Sequence, residues 1–63
     1  MTQKELSYLE DAIGHESNII KICEETIKNL EDESLKEFMS NEVSNHTSLK
    51  EKLLNTLEEC ACE

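Results

Sequence analysis

The sequence predicts an all-α fold, a two-helix antiparallel hairpin that dimerises into a four-helix bundle, and three observations lead there. The 63 residues include one Gly and no Pro, which leaves little vocabulary for loops and points to long uninterrupted helices. Apolar residues recur at alternating steps of three and four in two runs separated by one acidic stretch, the spacing of a helix face. A chain this short buries too small a fraction of its surface to be comfortably stable alone. Of the usual remedies, disulfides, a metal or oligomerisation, the expected one is oligomerisation.

Helix one is expected over about residues 3–30. Thr2 stands three residues before Glu5, the pattern in which hydroxyl and carboxylate each satisfy an orphan amide at a helix start. Leu6, Leu9, Ile13, Glu16, Ile20, Cys23, Ile27 and Leu30 then draw one stripe along the helix, broken only by Glu16, with Ala12, Ile19 and Ile22 widening it on one side. Gly14 costs about 1 kcal/mol relative to Ala inside a helix and so predicts a close helix approach. The turn falls at about residues 31–33, where Asp32 and Ser34 are both good N-caps and Ser34 lies three before Glu37. Helix two follows over about 34–60, with Leu35, Met39, Glu42, His46, Leu49, Leu53, Thr56 and Cys60 as its stripe and Phe38, Val43, Leu54 and Leu57 beside it. The chain is therefore one helical-hairpin domain, 1–63, without internal repeats.

The formal net charge of −9, from 15 acids against 6 lysines, removes the cationic surface that drives binding to phosphate backbones and anionic membranes. Nucleic acid is excluded as a partner on this ground. No apolar run reaches the roughly 18 residues of a membrane span, and no basic start precedes an apolar stretch, so a soluble chain without membrane insertion or export signal is expected. Three cysteines, Cys23, Cys60 and Cys62, cannot all pair within one chain and lack the Cys/His spacing of a structural zinc site, which fits a reduced, cytoplasmic setting.

Candidate chemistry lies where polar residues interrupt the stripes. A hairpin folded about residue 32 sets residue i of helix one roughly level with residue 64 − i of helix two. Glu16 therefore falls within about one turn of His46, and Glu42 sits one turn from His46 on the same helix. Burying an isolated carboxylate costs several kcal/mol, so inward Glu16 and Glu42 demand cations, protons or a metal. In a symmetric dimer four carboxylates and two imidazoles would gather. Two readings stay open: a polar lock that fixes register, or a site for iron, manganese or zinc with Glu16, Glu42 and His46 as ligands and His15 assisting. A seam shifted enough to expose these groups is the third. Carboxylate-bridged two-metal bundles use Glu-x-x-His, whereas here the position three after Glu42 is Asn45 and the histidine comes four after it.

His15 lies one step round from the stripe, where an interface histidine or an accessory ligand would sit. Cys23 is a small core residue in this reading, and Cys60 and Cys62, near the end of helix two, are candidate crosslinking thiols. No Gly-rich phosphate loop and no nucleophile with an ordered base is present, so no catalytic residue is assigned.

Leu9-Glu10-Asp11-Ala12-Ile13-Gly14-His15-Glu16, then Asp32-Glu33-Ser34-Leu35-Lys36 and the later His46, resemble the short spore-coat-protein-F-like members of the ferritin-like superfamily. Those pair an Asp-x-x-x-His-Glu start with an Asp-x-x-Leu-Lys loop and a histidine in helix two. The resemblance covers nearly the whole chain and implies a dimeric ferritin-like hairpin with a coat or sporulation role. It also implies coat or assembly proteins as partners beside the chain itself, and His15, Glu16 and His46 as the positions kept. The resulting expectation is a small structural, coat-associated homodimer with a buried carboxylate/histidine site. A ferritin-like metal-binding or redox protein and an acidic helical interaction module are the alternatives. The Ser-Gln-Glu-Leu-Asp signature of two-helix sporulation phosphatases is absent.

Overall fold

A computed structural model describes residues 1–61, and Cys62 lies outside them. It contains two helices, α1 (Gln3–Asn29) and α2 (Glu33–Ala61), and no strand among the described residues. Residues 30–32 connect them, so the helices run antiparallel as a hairpin, a plate 47 Å long, 15 Å wide and 10 Å thick.

Each helix end has a local cause. The Thr2 hydroxyl accepts from the Glu5 backbone N–H at 3.1 Å while the Glu5 carboxylate accepts from the Thr2 N–H at 2.8 Å. Both halves of the capping box are thus made. The Thr2 backbone N–H, and after it the Thr2 hydroxyl, hold the Glu5 carboxyl below the usual glutamate range. At the other end Leu30 turns into extended backbone, φ −88° and ψ 143°, with its N–H donating to the Ile27 carbonyl at 3.2 Å. Among the described residues no backbone adopts positive φ, which is how the connection is made without glycine. Asp32, not Ser34, starts α2: its carboxylate accepts from the Leu35 N–H at 3.0 Å and its carbonyl from the Lys36 N–H at 3.0 Å.

The inward line of α1 is the predicted one, with Leu6, Leu9, Ile13, Glu16, Ile20, Cys23, Ile27 and Leu30 all partly or fully covered. That of α2 is rotated. Lys36, Met39, Glu42, Val43, His46, Lys50, Leu53, Leu57 and Cys60 are the partly covered positions, whereas Leu35, Leu49 and Thr56, predicted for the seam, are exposed. The apolar arc of α2 is wider than one neighbouring helix can cover, so exposed apolar residues remain on both sides of the seam, Phe38 and Leu49 on one and Leu54 on the other. Lys50 enters the seam because its aliphatic stem can lie along apolar surface while the ammonium reaches water.

A single hairpin buries little. Cys23, at 8% exposure, is the one buried residue among those described, while Tyr8, Ile22, Leu35, Phe38 and Leu49 stand exposed. In an antiparallel pair, flanks displaced from the two seams in the same rotational sense share one broad face, and all five of these residues are displaced that way. Tyr8 and Thr56 line one groove of about 520 Å³ together with Met1, Glu5, Leu9 and Cys60, which shows the two flanks meeting. The opposite broad face carries exposed Ser7, Glu10, Glu25, Ser44, Ser48 and Glu51, with Leu54 the apolar residue among them. The plate is two-sided.

Gly14 belongs to the polar side, and a Cβ built there meets nothing within 4 Å. The close approach expected from the sequence does not exist, because α2 packs against the other side of α1. Gly14→Ala is therefore expected to stabilise the chain by about 1 kcal/mol, through helix propensity and a less flexible unfolded state. Denaturant unfolding followed by circular dichroism checks this, and an unchanged or lowered midpoint would mean that the space above Gly14 is occupied in solution.

Candidate functional site

Halfway along the plate the polar breaks meet. Glu16 is carried to the seam by the three-four repeat of α1, and His46 by that of α2. His46 Nδ1 lies 2.5 Å from Glu16 Oε2, a bond between positions thirty residues apart and level in the antiparallel frame. Glu16 keeps 13% of its side chain exposed and His46 27%, so the contact is sheltered without being dry. With the proton on Nδ1, the imidazole donates to the carboxylate.

Glu42 approaches the same ring from the other side. Its Oε2 is 3.6 Å from His46 Nε2, one turn away on α2, with 36% of its side chain exposed. That separation exceeds a hydrogen bond and becomes an ion pair when the ring is protonated on both nitrogens. His46 thus stands between two carboxylates: one covered and in contact, one at the rim and within reach.

Three of the four residues assigned from sequence are brought together, Glu16, Glu42 and His46. His15 is not: it is exposed and points along the apolar broad face. Among the described residues, no three His, Cys, Asp or Glu side chains of one chain are arranged to hold a metal ion. Every sheltered side-chain polar atom among the described residues has a partner, and the Glu16–His46 bond is how that is achieved in the seam. Of the candidate thiols, Cys60 is partly covered beside the Tyr8 and Thr56 groove.

Tyr8, Lys52 and the exposed half of the α2 arc were not picked out by sequence reasoning. A usable signal existed, because positions 8, 12, 15, 19, 22 and 26 form a second three-four series beside the first. No helix among the described residues is long and apolar enough to cross a membrane. No family model, no curated protein and no solved structure matches the chain. Fold and site define a class, a helical hairpin with a carboxylate–histidine pair across its seam and one uncovered apolar face.

The two contacts of His46 should be unequal. A double-mutant cycle of Glu16→Gln and His46→Gln, read by thermal or denaturant unfolding, is expected to give a coupling of about 1.5 kcal/mol, as for a sheltered charge-assisted bond. The corresponding Glu42 cycle should give about 0.3–0.5 kcal/mol, as for an i, i+4 surface pair. Equal couplings would mean that the rim carboxylate is as engaged as the seam one.

Proposed function

We propose that the chain is a structural assembly module whose working form is a homodimer, two hairpins closing their apolar faces into a four-helix bundle. The observation that carries this is the uncovered face: Tyr8, Ile22 and Phe38 are 64%, 63% and 59% exposed on one side of a plate whose other side is polar apart from Leu54. Contiguous apolar patches of this kind mark interaction sites, and an isolated hairpin with one buried residue among those described lacks the core that independent stability requires. Within such a bundle Glu16 and His46 act as a polar lock. A seam slipped by one turn would part the carboxylate from the imidazole and leave each without its partner, so the pair selects register at some cost in stability.

A coat or sporulation setting belongs to the proposal on the residues that carry the resemblance, of which Glu16 and His46 are joined here. The second reading is a metal or redox protein. It is favoured by one feature, the placing of two carboxylates on either side of one imidazole. One nitrogen and two oxygen donors suit zinc, manganese or iron, and the ligand set would be Glu16, Glu42 and His46 from both copies.

Solution mass and elemental analysis on the same metal-supplemented sample separate the readings. A metal-free dimer in which the double replacement Glu16→Leu and His46→Leu raises the melting temperature is the expected result, since exchanging a whole sheltered pair for apolar packing often stabilises. A dimer with about one metal per chain, lost in the same variant, would replace the lock with the two-metal reading.

A further inference from the structure

We propose that the second copy docks head to tail, its connecting loop at the opposite end of the bundle, about a two-fold axis passing level with residues 17 and 47. The inference rests on the self-association proposed above and gives that association its geometry.

The exposed face carries two series of equal spacing. On α1 they are Tyr8, Ala12, His15, Ile19, Ile22 and Thr26; on α2 they are Phe38, Glu42, Asn45, Leu49, Lys52 and Thr56. Steps of four, three, four, three and four read the same in both directions, so each series is symmetric about its midpoint, 17 in α1 and 47 in α2. Those midpoints are level. Tyr8 and Thr56 share a groove and Glu16 bonds His46, so level residues sum to between about 62 and 64, and 17 lies opposite 47 within about one helical rise. A single perpendicular axis therefore maps both series onto themselves at once. Face-to-face docking is isologous, as a two-fold interface must be.

Charge decides between the two ways of laying one face on the other. Head to tail, α1 crosses α1 and α2 crosses α2 of the second copy. Reflection about position 47 then brings Glu42 opposite Lys52 of the second copy, twice by symmetry, while Ala12 meets Ile22. With the loops at the same end, α1 lies over α2 of the second copy. Glu42 then comes level with Ile22, and Lys52 with Ala12. Lys52 would then press on an apolar side chain without a partner and Glu42 would be left with His46 alone, which is unfavourable. Glu42 and Lys52 are about 15 Å apart on their own helix, so they cannot pair within one chain. The broad side, 47 by 15 Å, offers about 700 Å² in projection, close to the roughly 800 Å² per partner of a standard interface.

The test is a charge exchange between copies. Glu42→Lys and Lys52→Glu are made separately, one of them isotope-labelled, and dimerisation is measured by native mass spectrometry and sedimentation at low salt, where such pairs are least screened. Each variant alone faces like charges at both contacts and is expected to dimerise about tenfold or more weakly than the unaltered chain. Mixed in equal amounts they regain both pairs and should form mixed dimers with a dissociation constant within about threefold of the original. Lys52→Glu touches no group of the Glu16–His46 site, so its weakening cannot be ascribed to loss of that contact. A dimeric unaltered chain whose variants mix without preference would overturn the head-to-tail register and leave self-association standing. A chain that stays monomeric at high concentration would overturn both.

Discussion

Two helices touch along a line, and a line of contact cannot enclose a core. Everything particular about this hairpin follows from that constraint. Each side chain in the seam is covered from one direction only, so even the best-placed apolar residues keep partial exposure and Cys23 alone is buried among the described residues. The hydrophobic contribution scales with the area removed from water, at about 25 cal/mol per Å², and much of this chain's apolar area is still in water. Most of the exposed apolar side chains, Leu54 apart, lie on one side of the plate, as a layered bundle needs if a second layer is to complete it.

The seam can hold an acid and an imidazole for the same reason. In a fully enclosed core a carboxylate would lose several kcal/mol of hydration. Here Glu16 retains some exposure and accepts a short bond from His46. The desolvation cost is thereby kept modest in the hairpin and increases when a second layer arrives. A polar pair at mid-length therefore penalises a slip of α1 against α2, which would leave each group without its partner.

The helical hairpin was legible in the sequence. The capping box at Thr2 and Glu5, the acidic break and the stripe of α1 each rest on local rules, and the structure places them where those rules do, with α1 ending at Asn29 and α2 beginning at Glu33. The pairing of Glu16 with His46 was legible too, because equal helical rise makes level positions calculable. The rotation of α2 was not. Leu35, Leu49 and Thr56 fit the three-four repeat as well as Val43, Lys50 and Leu57 do, and a lysine at 50 argues against a seam position unless the apolar stem is weighed against the charge. Periodicity identifies an apolar arc but not which edge of the arc faces which neighbour. Gly14 misled for a related reason: a glycine in a helix marks close approach only on the side where something approaches.

The rotation of α2 has a further consequence. It leaves Phe38 and Leu49 free on the side of Tyr8, Ile19 and Ile22 of α1, so the larger part of the leftover apolar surface is continuous across both helices. The same rotation carries Glu42 from the seam to the rim, where it can reach His46 from one side and a cation of a second copy from the other. The hairpin's own packing thus decides which residues are available for association.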